Sequence, residues 1–129
     1  MANYRGEKAS GFFLNDYLFK TVVPQMFSPE DKKEELTKAL LDKHIPEMLS
    51  TLSKHCIGNS KFLCGETVTI HDMVVAGGIL NSIANPNGRL GQPGLDAWAA
   101  APENVKTYVA NFSEVMKEYL DSRPQSCTF

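Results

Sequence analysis

Apolar residues recur every three or four positions along most of the chain, which is the spacing of one face of an α-helix. The longest such stripe comprises Leu36, Leu40, Leu41, Ile45, Met48, Leu49, Leu52 and Cys56. Pro46 lies inside this stripe and removes one backbone donor, so we expect a bend over residues 42–45. Because the stripe keeps its phase across Pro46, the pattern predicts one bent helix rather than two.

Two further patterns place helices in the first quarter of the chain. Apolar and aromatic positions predict a first helix over residues 10–27, disturbed near Pro24. Ser28 and Pro29 then precede two acids, which predicts that Ser28 caps the long helix. The first helix carries more aromatic residues than one narrow core-facing stripe needs, so some should lie on an interface: Phe12, Phe13, Tyr17 and Phe19.

The segment from Thr69 onward has the sharpest local signature. Thr69 and Asp72 stand at the N-cap and N3 positions of a capping box, immediately before an almost wholly apolar run. The run predicts a central, buried helix from residue 70 to about residue 84. Gly77 and Gly78 in its middle disfavour a helix, and the expected reason for them is the close approach of a neighbouring helix.

The remaining signals are also helical. Residues 85–94 form a loop rich in Gly, Pro and Asn, and residues 95–100 predict a single helical turn. A last amphipathic helix is predicted to begin at Pro102 and to extend to Leu120. No segment alternates as a strand. The expected fold is an all-α bundle of about four to six helices, forming one domain over residues 1–129.

Composition narrows the class of protein. The 129 residues carry a formal net charge of −2, and 43% of them are hydrophobic. The scattered basic residues do not predict a nucleic-acid partner. The longest apolar stretch, residues 73–84, is shorter than the about 20 residues that a bilayer span needs. The odd cysteine count, from Cys56, Cys64 and Cys127, favours free thiols in a reducing compartment, so we expect a soluble, cytoplasmic protein without a membrane partner.

Reactive side chains are few. The histidines His44, His55 and His71 lack the spacing of a metal site, and no glycine-rich phosphate-binding loop occurs. His71 beside Asp72 could form an acid/base dyad, but the capping box explains Asp72 without catalysis. The residues alone therefore predict a helical domain with no catalytic residue, no metal and no cofactor of its own.

Residues 62–72 read Phe-Leu-Cys-Gly-Glu-Thr-Val-Thr-Ile-His-Asp, which resembles the F-L-x-G-(D/E)-x-(L/V)-T-(I/L)-A-D segment of the C-terminal helical domain of cytosolic glutathione transferases. Residues 102–108 and 119–124 look like that family's P-x-V-x-x-(Y/W) and Y-(L/I)-x-S-R-P ending. Leu14-Asn15-Asp16 is most similar to sigma-type transferases and S-crystallins. The resemblance covers essentially the whole chain.

This resemblance implies roles for four residues. Asp16 corresponds to an aspartate that reaches the glutathione bound by the other subunit of a sigma-type dimer, and Phe19 would face the hydrophobic-substrate pocket. Thr69 and Asp72 correspond to the structural capping box. The alternatives are that Asp16 is a solvated helix residue and that Phe19 packs in the core.

The chain also departs from the family pattern. It has no room for the thioredoxin-like N-terminal domain that binds glutathione, and residues 1–6 look like the join between the two domains. His71 replaces the alanine usual in the family, where little consequence is expected. Two hypotheses follow: the C-terminal domain of a homodimeric glutathione transferase, with glutathione only as the co-substrate of the full-length parent, or a stand-alone helical protein–protein interaction module.

Overall fold

A computed structural model describes residues 2–58, 60–87 and 90–117, with side chains from residue 6 onward. Within these ranges the chain forms five helices and no β-strand. They are α1 (residues 2–26), α2 (residues 30–56), α3 (Ile70–Asn81), α4 (Gly91–Ala99) and α5 (Glu103–Val115). This confirms the predicted all-α fold and helix number. None of the described helices combines the length and apolar character needed to cross a membrane.

Helix α1 begins earlier than the sequence pattern predicts. It comprises an α-helical part, Ala2–Gly11, a π-helical part, Phe12–Val22, and a last α-turn, Val23–Met26. Its first ten residues are mostly polar and show no stripe, yet Gly6 and Ala9 are buried where α1 packs against α3. Tertiary packing, rather than helix propensity, therefore accounts for the added turns.

Helix α2 is one continuous helix, as predicted. Two α-helical parts, Glu30–Ala39 and Ile45–Thr51, alternate with two π-helical parts, Leu40–His44 and Leu52–Cys56. The prediction that Ser28 caps this helix is wrong. Pro29 occupies the N-cap position, and the Ser28 hydroxyl instead donates to the carbonyl oxygen of Gln25 at 2.9 Å.

A wide turn precedes Pro24 in α1 and Pro46 in α2. The Ile45 amide, just before Pro46, donates to the carbonyl oxygen of Leu40, five residues back. The Val23 amide does the same toward Leu18, just before Pro24. Because a proline ring would clash with the carbonyl group one normal turn earlier, the widened turn lets each helix continue through its proline.

Helix α3 is buried on one side only, so the prediction of a central, buried helix is confirmed only for that side. Val75, Ala76 and Ile79 are inaccessible to solvent, where α1 and α5 pack against α3. On the other side, Ile70 is 70% exposed and Met73 is 51% exposed. The helix ends at Asn81, before the predicted residue 84.

Helix α4 is longer than the single turn expected there. It starts at Gly91, whose φ of 60° suits glycine, and it tolerates Pro93 because the first turn of a helix needs no amide donor. The tail motif over residues 119–124 and Cys127 lie outside the described residues.

The two adjacent glycines of α3 have different surroundings. A Cβ atom placed on Gly78 would lie 2.6 Å from Cε1 of Phe13, whose ring is fully buried in the core. A Cβ atom placed on Gly77 would have no neighbour within 4 Å. The close approach predicted for this pair is therefore confirmed at Gly78, where α1 packs against α3, and not at Gly77.

Substitution of each glycine by alanine should give opposite results. Gly78→Ala should destabilise the fold by about 1–3 kcal/mol, because the new methyl group overpacks the Phe13 ring. Gly77→Ala is the matched control and should stabilise the fold by up to about 1 kcal/mol through helix propensity alone. Urea unfolding midpoints measure both changes, and equal effects of the two substitutions would contradict this account of the packing.

Candidate functional site

The carboxylate of Asp72 is the most connected polar group in the described interior. It is fully buried and accepts from four donors. Oδ1 accepts from the Leu63 amide at 3.1 Å and from the Tyr108 hydroxyl at 2.8 Å. Oδ2 accepts from the Thr69 amide at 2.9 Å and from the Thr69 hydroxyl at 3.3 Å. The carboxylate thus joins the loop segment 60–69, the start of α3 and the middle of α5.

Both halves of the capping box predicted for Thr69 and Asp72 are present. The Asp72 half is the stronger one, because its carboxylate accepts directly from the N-cap amide at 2.9 Å. The reciprocal half is weaker: the clear hydrogen bond of the Asp72 amide goes to the carbonyl oxygen of Thr69 at 3.1 Å. The acid/base alternative for His71 and Asp72 has no support here, since the Asp72 oxygens are engaged by structural donors.

Tyr108 is a member of this network that the sequence did not reveal. Burial raises the pKa of its hydroxyl group well above the ordinary value, and the negative charge of Asp72 and the hydrogen bond to it raise this pKa further. Tyr108 therefore remains a protonated donor. Its sequence position shows only an aromatic residue on a helix stripe, although a buried tyrosine hydroxyl usually requires a partner.

Asp16 lies in the π-helical part of α1, at the surface. Its side chain is 53% exposed, and one carboxylate oxygen lies 3.2 Å from Nζ of Lys20, which is itself 72% exposed. Exposed pairs of this kind contribute little to stability. The Asp16 carboxylate is therefore available to an external group.

A cavity of about 220 Å³ opens beside Asp16, between α1 and α2. Its wall combines acidic, hydroxyl, imidazole and apolar groups: Phe12, Asp16, Tyr17, Thr21, His44, Glu47, Met48 and Thr51. Phe19 does not line this cavity and is 60% exposed. Of the four residues to which the resemblance assigns roles, the structure therefore places Asp16 and Phe19 on one helix, and only Asp16 at this cavity.

The α2 side of the cavity contains three polar residues that the sequence analysis did not assign to a site. His44, Glu47 and Thr51 stand at positions i, i+3 and i+7, which lie on one side of a helix. This spacing could have indicated from the sequence that the three residues share one face of α2. No sequence pattern, however, showed that this side of α2 faces Asp16 on α1.

His71 has a larger structural role than expected. Its Nδ1 lies 2.9 Å from the Ser10 hydroxyl of α1, and its ring lies so close to Gly6 that a Cβ atom there would be 2.6 Å from Cδ2. The expectation of little consequence at this position is therefore wrong. Because Gly6 lacks a side chain, α1 can pack against the imidazole ring of His71. The family that the sequence resembles usually has alanine at this position.

The two described cysteines are free thiols. Cys56 is buried, and this burial raises the pKa of its thiol. Cys64 is partly accessible, and the Thr69 hydroxyl lies 3.6 Å from its sulfur. Among the residues that the structure describes, no three His, Cys, Asp or Glu side chains are placed to hold a metal ion.

Comparison with known families gives a match that covers most of the chain. The family model described as "Glutathione S-transferase, C-terminal domain" matches residues 15–123. This range contains Asp16, Phe19, Thr69 and Asp72. No curated protein and no solved structure matches the chain.

Substitutions in the Asp72 network should reduce stability. The cost should be larger for a substitution that leaves more donors without an acceptor. Thr69→Ala should cost about 1 kcal/mol, as for other N-caps. Asp72→Ala should cost about 3 kcal/mol or more, because it leaves several donors without their charged acceptor. The exposed Asp42 provides a control, Asp42→Ala, with a change within about 0.5 kcal/mol. Denaturant unfolding of both single variants and the double variant measures these costs, and full additivity would contradict a shared network.

Tyr108 should make stability decrease at alkaline pH. The folded state holds its proton more tightly than the unfolded state, where the pKa is about 10. Unfolding therefore releases a proton above about pH 10, and the stabilisation is present below that pH and lost above it. Tyr108→Phe should lower the free energy of unfolding less at pH 11 than at pH 9, about one unit either side of the unfolded-state pKa. Urea unfolding of both proteins at the two pH values measures this difference. A difference that stays constant over this interval would disprove the assignment.

Proposed function

Because this chain belongs to the family of glutathione S-transferase C-terminal domains, we propose that it serves as that domain of a glutathione transferase. In this role it contributes the hydrophobic-substrate wall and the dimer surface of a cytoplasmic, homodimeric enzyme. That enzyme detoxifies hydrophobic electrophiles by conjugating glutathione to them. The single observation that carries this proposal is the family match over residues 15–123.

In this role, stabilisation of the glutathione thiolate belongs to another domain. Conjugation needs a thiolate that a positioned donor stabilises. Tyr108 is unsuited to this task because it is 3% exposed and its hydroxyl is bonded to Asp72. The Thr69 hydroxyl also points at Asp72. A thioredoxin-like, glutathione-binding domain, supplied from outside these 129 residues, is therefore the proposed partner.

Asp16 has a proposed role across the dimer. By analogy with sigma-type transferases, its carboxylate would reach the glutathione held by the other subunit. Its exposure and its loose pair with Lys20 support this role, since little structure would be lost when the carboxylate binds another group. The alternative is that Asp16 is a solvated helix residue, in which case its removal would not affect glutathione affinity.

Exposed apolar side chains support the wall and dimer surface. Phe19 and Phe27 of the α1 region are 60% and 80% exposed, and Ile70 and Met73 of α3 form a second exposed pair. We assign Phe19 to the substrate wall. We assign Ile70 and Met73 to contact with the glutathione-binding domain, because burying them would remove apolar area from water.

The same exposed side chains favour one alternative, a stand-alone helical module that binds other proteins without catalysis. The two functions differ in what the parent gene encodes before residue 1. A βαβ…ββα pattern with a proline before a strand supports the transferase. Its absence supports the interaction module.

The isolated chain should show no conjugation of glutathione to an aryl halide above the uncatalysed rate. A fusion to the thioredoxin-like domain of a characterised transferase should show such activity, because the fusion supplies the thiolate-stabilising donor. In that fusion, Asp16→Asn should raise the KM for glutathione about threefold or more, as expected for a lost charge contact, whereas Asp42→Asn should leave it unchanged. Robust turnover by the isolated chain would refute the proposed division of labour.

A further inference from the structure

Cys64 and His71 meet where the loop segment 60–69 and α3 contact the first part of α1. A Cβ atom placed on Gly6 would lie 2.4 Å from the Cys64 sulfur and 2.6 Å from Cδ2 of His71. Since both atoms lie close to this one point, they are at most about 5 Å apart, a separation that one bridging water molecule can span. Both side chains are partly accessible to solvent. A nucleophilic sulfur and a base therefore share one site at the surface.

The Ser10 hydroxyl orients the imidazole ring. It donates to the carbonyl oxygen of Glu7 at 3.4 Å, and its oxygen lies 2.9 Å from Nδ1 of His71. Because a hydroxyl has only one proton, Nδ1 is the donor in the contact with Ser10, and Nε2 keeps a free lone pair. Nε2 is bonded to Cδ2 and has no hydrogen-bond partner among the described residues. This nitrogen is therefore open to a proton from the neighbouring thiol.

The other groups around the sulfur make such a base necessary. The Thr69 hydroxyl lies 3.6 Å from the Cys64 sulfur and 3.3 Å from Oδ2 of Asp72. A thiolate at Cys64 would therefore meet the negative charge of Asp72, which opposes its formation. Tyr108 of α5 also interacts with Cys64, but it is protonated and neutral. Among these described neighbours, His71 is the group that can accept the thiol proton.

We propose that Cys64 is a site of thiol–disulfide exchange with small disulfides and that His71 assists this exchange as the base. Nε2 of His71 takes the thiol proton while the sulfur attacks one sulfur of the disulfide R–S–S–R. The R–S–S–R bond breaks, the mixed disulfide Cys64–S–S–R forms, and the departing thiolate takes the proton from His71 to give R–SH. Cys64 is oxidised and half of the disulfide is reduced. This exchange requires neither the glutathione-binding domain nor a dimer, so it goes beyond the function proposed above.

Bis(2-hydroxyethyl) disulfide is a small, neutral probe, and Cys56 is an internal control because its thiol is buried. In the folded chain carrying Cys127→Ser, peptide mapping by mass spectrometry gives the rate of adduct formation at each remaining cysteine. Cys64 should gain the 2-hydroxyethylthio group at least about tenfold faster than Cys56, and dithiothreitol should remove it. Equal rates at the two cysteines would overturn the proposal.

Variants separate the action of the base from mere exposure of the sulfur. His71→Asn keeps an amide that can bond to Ser10 but removes the base, and it should slow the reaction of Cys64 about tenfold or more. The rate at Cys56 should not change. His44→Asn, the same substitution on α2 at a distance from this site, should alter neither rate.

Slower reaction in His71→Asn cannot result from misfolding, because loosening of α1 would expose the sulfur and speed its reaction. An unchanged or faster rate at Cys64 in this variant would overturn the proposal. Neither outcome affects the transferase fusion experiment, which measures conjugation and does not depend on Cys64.

Discussion

The buried carboxylate of Asp72 is the constraint that organises this fold. A carboxylate removed from water is tolerated only where donors replace its hydration, and here they come from Leu63, Thr69 and Tyr108. These residues belong to a loop, a helix start and a second helix. Each donor must be in place at the same time, so the irregular segment 60–69 has a defined position although it is not helical. Ordinary hydrophobic contact, which is non-directional, would not impose this geometry.

The sequence predicted those features that depend on short separations. The capping box joins residues three positions apart, and the phase of the α2 stripe could be followed across Pro46. The contact between Tyr108 and Asp72 spans 36 positions, and the Leu63 contact uses a backbone amide, which has no sequence signature. The polar first turns of α1 were missed because their helical state depends on packing against α3. The same limit applies to the cavity, where spacing could have grouped His44 with Glu47 but could not have placed Asp16 opposite them.

The buried Asp72 network and the cavity beside Asp16 occupy separate parts of the molecule. The Asp72 network lies where α3 meets α5 and is closed to solvent, whereas Asp16 lies in the π-helical part of α1 and is half exposed. Wide, π-helical turns are uncommon in proteins, and many of those that occur lie at functional sites. Changes in the charge of the cavity can therefore occur without disturbing the buried carboxylate.

The contact between Gly6 and His71 has a consequence for how this sequence can change. A side chain at residue 6 would meet the Cys64 sulfur as well as the imidazole ring of His71, and a smaller residue at position 71 would leave a gap beside Ser10. Neither position can therefore be altered alone without loss of packing or of the link between α1 and α3. We expect the three positions to covary among homologues, with larger residues at position 6 accompanied by small ones at positions 64 and 71.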